Sequence, residues 1–109
     1  MYQVGDGEVQ LLIGHSGPVY GVDWVPGGGL LSCGEDTTVR YWDRDTRAGL
    51  CVYRGHQYPV WVVKSDKIGL KFATASLDRT VRLWQTDYSH PLRVYRWVEE
   101  NNFIALVLD

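Results

Sequence analysis

The sequence predicts an all-β fold built from two four-stranded antiparallel sheets, and two observations carry that prediction. The first is an internal repeat: Gly14-His15 returns 41 residues later as Gly55-His56, and the stretch Leu31–Asp43 returns 42 residues later as Ala73–Gln85. The second is the rhythm of the chain. Runs of β-branched and aromatic residues are broken by turn residues about every 8–12 positions, and no window carries a useful length of helical periodicity.

Taken in order, Val9 to Ile13 is a short apolar run that reads as an outer strand of a preceding unit. Pro18 to Val25 mixes β-branched and aromatic residues and stops at Pro26-Gly27-Gly28-Gly29, a turn. Leu30–Gly34, Thr38–Trp42 and Ala48–Arg54 complete the first unit, and Pro59–Lys64, Leu70–Ser76, Thr80–Trp84 and Pro91–Arg96 repeat the order in the second. The expected organisation is an N-terminal segment 1–13, repeats at 14–54 and 55–96, and a divergent tail 97–109. A third Gly-His pair would fall near positions 97–98, which hold Trp97 and Val98. Agreement up to Arg96 and none beyond it reads as a truncated or alternatively spliced product, or else as a divergent last half-repeat.

Composition narrows the function. The chain has 109 residues, a net charge of -2 and 45% apolar residues, the profile of one globular domain. That balance argues against direct nucleic-acid binding. No apolar run approaches the roughly 20 residues that span a bilayer, and the N-terminus has no basic-then-apolar pattern of a secretory signal. Cys33 and Cys51 fit neither a zinc site nor a redox pair, so two reduced thiols on strands are expected. No cofactor and no metal site is expected. Asp6-Gly7, Asp36 and Asp66 are too scattered for a calcium loop, Gly27-Gly28-Gly29 lacks the lysine of a phosphate loop, and His90 reads as a solvated turn residue.

The Gly-His early in each repeat and the Trp late in each, at a period of about 40–45 residues, resemble the WD40 repeat, whose four strands form one blade of a β-propeller. The fold class is therefore a WD40 β-propeller fragment of two four-stranded antiparallel blades. The resemblance implies a hydrogen-bonded network of His15, Ser32, Asp36 and Trp42 in the first blade and His56, Ser76, Asp78 and Trp84 in the second. A buried indole N–H and imidazole must each find a partner. Asp36 and Asp78 each precede their Trp by six residues. Ser76 is the first choice of hydroxyl and Thr74 the second; Gly34 stands at the position matching Ser76, so only Ser32 remains in the first blade and that network is expected to be incomplete. Ser65 stands where the first blade has Trp24 and reads as a core position turned polar. Both departures predict weakened blades. A sharper reading would make His15 with Asp36, or His56 with Asp78, a catalytic dyad or half a metal site, but no nucleophile motif accompanies them. Arg40 and Arg82 are expected in cross-strand pairs.

Propellers usually bind partners through one rim. Tyr20 and Trp61 at the start of each blade's first strand, with Glu35 and Leu77 just before the turn aspartates, are the partner-binding candidates. The alternative for the two aromatics is packing against a neighbouring blade.

The match narrows further. Gly14-His15-Ser16-Gly17-Pro18-Val19-Tyr20-Gly21, the stretch Tyr53 to Trp61 (YRGHQYPVW) and Pro91-Leu92-Arg93-Val94-Tyr95 resemble the family of the fifth TBP-associated subunit of TFIID and its PCAF-associated factor 65-beta paralogue in SAGA-type complexes. The resemblance covers about Leu12 to Tyr95. It implies a nuclear, non-enzymatic scaffold that contacts histone-fold subunits of TFIID/SAGA-type complexes in RNA polymerase II transcription initiation. A WD40 adaptor of another kind, such as a ubiquitin-ligase substrate receptor or signalling scaffold, is the alternative. Two blades leave two faces open, and an unburied face of roughly 400 Å² forfeits on the order of 10 kcal/mol at about 25 cal/mol per Å². Self-association of the isolated chain is the expected consequence, and the apolar tail 103–108 could add a strand to an open edge.

Overall fold

The computed structural model describes the backbone of residues 2–4, 8–100 and 103–108, and the side chains of residues 11–98. Eleven strands follow one another without a helix among the described residues: β1 (Tyr2–Val4), β2 (Glu8–Gln10), β3 (Val19–Val25), β4 (Gly29–Gly34), β5 (Val39–Asp43), β6 (Gly49–Tyr53), β7 (Val60–Ser65), β8 (Lys71–Ser76), β9 (Thr80–Gln85), β10 (Tyr88–Glu100) and β11 (Phe103–Leu108). They form an antiparallel four-stranded sheet β3-β4-β5-β6, a second sheet in the order β11-β10-β9-β8-β7, and a separate β1-β2 pair.

The hairpins follow from local chemistry. Gly27 and Gly28 take φ of +103° and +112° in the β3–β4 turn, a region open to glycine, and Gly28 N–H closes on Val25 C=O at 3.1 Å. In the matching β7–β8 turn, the Asp66 carboxylate accepts the backbone N–H groups of Gly69, Leu70 and Lys71.

Most of the core lies between the two sheets. Leu31, Cys33, Val39 and Tyr53 from the first sheet meet Val60, Val63, Phe72 and Trp84 from the second, each at most 2% exposed. The Tyr53 ring packs edge-on against Phe72, with centroids 4.8 Å apart. Two polar contacts cross the same joint: the Asp23 carboxylate accepts the Ser65 N–H at 2.7 Å, and the Tyr53 hydroxyl donates to the Thr86 carbonyl. Burial pushes the Cys33 thiol up to about 12, so it sits in the core as a protonated apolar group. Both cysteines are free thiols.

The structure corrects several expectations. Positions 11–13 are not strand, and β2 pairs with β1. His90 is not in a turn: β10 starts at Tyr88, carries a register shift between Tyr88 and Arg93, and places an exposed His90 against the Tyr88 ring. Trp24 is 49% exposed, while Ser65, at the repeat-equivalent position, lies at the joint between the sheets, where its backbone N–H meets Asp23.

The tail does add a strand: β11 pairs with β10 from Tyr95↔Leu108 to Glu100↔Phe103, making the second sheet five-stranded. The physical reason lies in the glycine of the Gly-His pair. A Cβ on Gly14 would meet the Arg40 guanidinium at 2.7 Å, and one on Gly55 the Arg82 guanidinium at 2.7 Å. The chain leaves a sheet by passing closely under that arginine, which would have to swing aside for any larger residue. Trp97 stands where that glycine would recur, and β10 runs straight on instead.

Candidate functional site

Each sheet holds a buried polar chain at the rim where its second and third strands turn. In the first, His15 Nδ1 lies 3.0 Å from the Asp36 carboxylate, His15 Nε2 lies 2.7 Å from Ser32 Oγ, and Trp42 Nε1–H donates to that same oxygen at 2.8 Å. In the second, His56 Nδ1 lies 2.9 Å from Asp78, His56 Nε2 lies 2.7 Å from Thr74 Oγ1, and Trp84 Nε1–H donates to Thr74 Oγ1 at 2.8 Å. The two arrangements share the same order of partners, Asp–His–hydroxyl–Trp.

The hydroxyl in the second sheet is therefore Thr74, not Ser76. Phe72 pairs with Trp84 and Thr74 with Arg82, so Thr74 sits diagonally from the indole; Ser76 lies two residues farther along the strand, about 6.6 Å away. Ser76 Oγ instead donates to the Pro59 carbonyl at 2.9 Å and accepts the Asp78 N–H at 3.1 Å, pinning the start of β7 to the turn. The same correction removes the expected gap in the first blade. Ser32 is the residue equivalent to Thr74, and its chain is complete.

Sequence reasoning missed Thr38 and Thr80. Thr38 Oγ1 donates to Asp36 at 2.8 Å and Thr80 Oγ1 to Asp78 at 2.6 Å, and each threonine also gives its backbone N–H to the same carboxylate. Arg40 and Arg82, which stand opposite Ser32 and Thr74 on the neighbouring strands, donate Nε–H to these threonine hydroxyls two residues back in the chain. The repeated Asp-x-Thr spacing at 36–38 and 78–80 was the available signal.

The electrostatics follow from these bonds. Burial works to raise the Asp36 and Asp78 carboxyls, but the donors around them win. Asp36, fed by Ser16 N–H, Thr38 and His15, and Asp78, fed by Thr80, His56 and Gln57 N–H, are both held down to about 2. Burial depresses His56 against the pull of Asp78, so its ring is neutral, with Nδ1–H donating to the carboxylate and Nε2 accepting from Thr74.

The connectivity Asp–His–hydroxyl is that of a hydrolytic triad, yet the chemistry differs. Each hydroxyl oxygen already accepts an indole N–H, and Ser32 and Thr74 are 4% and 1% exposed. An oxygen so engaged is held in place by its donor, and the arrangement does what a buried polar network does best, which is to fix one geometry. Among the described residues no group of three or more His, Cys, Asp or Glu could hold a metal ion.

Beside the networks lies an exposed aromatic rim. β3 carries a register shift between Val19 and Gly21, and β7 one between Val60 and Val62, so Tyr20 and Trp61 are the unpaired residues of two equivalent bulges. Bulges re-aim side chains, and these two meet: the rings stack with centroids 5.0 Å apart and planes 24° from parallel. Tyr20 is 41% and Trp61 46% exposed. The Tyr20 hydroxyl donates to the Glu35 carboxylate, and that bond raises the phenol above its ordinary value. The structure thus joins Tyr20, Glu35 and Trp61; Leu77, exposed, occupies the turn equivalent to that of Glu35, its N–H on the Pro59 carbonyl.

Two adjacent four-strand units with a buried Asp–His–hydroxyl–Trp chain in each define a protein-interaction repeat fold. The chain belongs to the WD40 family: the model of the WD domain, G-beta repeat, matches residues 7–43 and 49–85. Among its relatives are transcription initiation factor TFIID subunit 5 of Caenorhabditis elegans, 42% identical over 75% of this chain and 13% of that protein, and the SAGA complex/transcription factor TFIID complex subunit Taf5 of Schizosaccharomyces pombe, 51% identical over 44% of this chain and 8% of that protein. The probable cytosolic iron-sulfur protein assembly protein Ciao1 of Culex quinquefasciatus is 38% identical over 70% of this chain and 24% of that protein. The chain thus spans a quarter or less of each of these relatives.

Proposed function

We propose that the chain is a non-enzymatic interaction module of the TFIID/SAGA type, acting in the nucleus as a scaffold in RNA polymerase II transcription initiation. The observation that carries the reading is the stacked Tyr20–Trp61 pair with Glu35 beside it, a solvent-facing aromatic patch backed by rigid networks. Exposed aromatics on a preorganised frame are the usual anchors of protein interfaces. The similarity to TFIID subunit 5 and Taf5 supports the choice of complex. Partners on this reading are histone-fold subunits, reached through Tyr20, Glu35, Trp61 and Leu77, while His15, Ser32, Asp36, Trp42, His56, Thr74, Asp78 and Trp84 hold the frame. Nuclear affinity purification tests it: histone-fold TFIID or SAGA subunits should co-purify with the chain and be lost with Tyr20→Ala/Trp61→Ala.

A second reading, an adaptor of another complex, draws on the similarity to Ciao1. Recovery of cytosolic assembly factors, cullin adaptors or signalling proteins in place of transcription subunits would favour it.

A further inference from the structure

The aromatic pair on the rim has a carboxylate beside it and no cation paired with that carboxylate. Glu35, exposed in the turn between β4 and β5, accepts the Tyr20 hydroxyl through Oε2, and no ion pair among the described residues includes it. Its neighbour Asp36 is turned inward, engaged with His15, Ser16 and Thr38. The Glu35 stem is held from below, since a Cβ on Gly17 would lie 3.3 Å from the Glu35 Cβ. Glu35, Tyr20 and Trp61 thus form a row across the joint that the chain itself contains, the first two from one sheet and the third from the other. The rings leave room beside that row. Packed planes lie about 3.5 Å apart. A centroid separation of 5.0 Å therefore offsets the rings, the phenol covers only part of the indole, and Trp61 stays 46% exposed.

We propose that this notch receives an arginine side chain from an exposed segment of a partner protein, its guanidinium bonded to Glu35 and lying against the Trp61 indole. The inference rests on the reading of the rim as an interaction surface and adds the chemistry of what the rim receives. A guanidinium answers both groups at once: its flat face stacks on an indole, and its fork of N–H donors fits a carboxylate. After accepting from Tyr20, the Glu35 carboxylate still has lone pairs for two such donors. A lysine ammonium, a strongly hydrated point charge, meets the carboxylate without the stacked plane. The Tyr20 bond also fixes the carboxylate before the ligand arrives, which lowers the ordering cost of binding.

The surface beyond the notch points to a protein segment as the carrier of that arginine. The turn position equivalent to Glu35 in the second sheet holds Leu77, whose N–H meets the Pro59 carbonyl beside Tyr58. Leu77 and Tyr58 are each 56% exposed, so a ligand that continues past its cation finds apolar surface to cover. A nucleic-acid strand would bring phosphates up to Glu35, and like charges there repel. The cation site itself is not repeated, because Leu77 supplies no carboxylate over the second sheet.

The test is fluorine NMR of the purified chain labelled with fluorotryptophan, the Trp61 resonance being assigned from Trp61→Phe. Titration with N-acetyl-arginine amide should shift that resonance and saturate at about millimolar concentration, while the buried Trp84 stays in place. N-acetyl-lysine amide should bind several-fold more weakly. N-acetyl-citrulline amide, which keeps the plane and lacks the charge, should leave the resonance unmoved. Glu35→Gln, which keeps an acceptor for the Tyr20 hydroxyl, should weaken arginine binding by on the order of tenfold. Near-ultraviolet circular dichroism confirms that this variant is folded. A Trp61 resonance indifferent to arginine, an equal response to citrulline, or a folded Glu35→Gln chain that binds like the wild type would each overturn the proposal. Its failure is distinct from that of the transcription reading. Histone-fold subunits that co-purify with the chain and are retained by Glu35→Gln would leave that reading standing and sink the arginine site. Arginine bound through Glu35, with cytosolic factors as the co-purifying proteins, would do the reverse.

Discussion

Tyr20 and Trp61 belong to different sheets and lie 41 positions apart, yet their rings stack at 5.0 Å because each is the extra residue of a bulge at the same point of its strand. The stack ties the two sheets together at the rim, and a half-exposed offset pair contributes about 0.5–1.5 kcal/mol beyond area burial. A double-mutant cycle of Tyr20→Ala and Trp61→Ala, read by denaturant unfolding, should return a coupling energy in that range. A cycle closing to zero would mean that the rings touch without coupling the sheets.

Among the described residues Thr74 is the acceptor for the Trp84 indole and the hydroxyl on His56 Nε2. Thr74→Ala leaves both groups buried without a partner, and each orphan costs about 1–3 kcal/mol. Thr74→Ser, which restores the hydroxyl found at Ser32, should recover most of that loss. Thermal melts of the two variants decide it; equal losses would show that the methyl, not the hydroxyl, matters.

Stability should fall in acid in two stages. His56 is depressed from its ordinary 6.5, so below about pH 6.5 the unfolded chain gains a proton that the folded one does not, and stability starts to decline. Asp36 and Asp78 are held from 3.8 down to about 2, so their contribution is full above about pH 4 and lost as pH falls towards 2. Melting temperatures taken across pH 2–8 should show both limbs. A flat profile from about pH 7 to 3 would contradict the neutral, carboxylate-bonded imidazole.

Gly21 sits where the second sheet passes, with Cys33 Sγ and the Trp61 carbonyl each 2.9 Å from where its Cβ would be. Gly21→Ala should wedge the joint and cost roughly 1–3 kcal/mol. Val62→Ala, at the equivalent but open position, should stay within about 0.5 kcal/mol in the monomer. Chemical denaturation of both variants compares them directly, and equal costs would show that the internal joint is not closely packed at Gly21.

The repeat determined the strand order and the two sheets, because those rest on residue types recurring at a fixed spacing, and the resemblance to the WD40 repeat supplied the His, Asp and Trp of each network. Its offset also contained the answer for the hydroxyl: Ser32 and Thr74 are 42 apart, as are Leu31 and Ala73. Distance along the chain to Asp78 favoured Ser76, whereas distance across the sheet to Trp84 selects Thr74. Likewise Trp24 and Ser65 look alike as strand positions. Only packing decides that one faces outward while the other's backbone meets Asp23. The rim stack, the close passage at Gly21 and the straight run of β10 past Trp97 were decided by tertiary structure. Each depends on how two sheets approach one another, and a side-chain period within one strand carries no information about the distance to the next sheet.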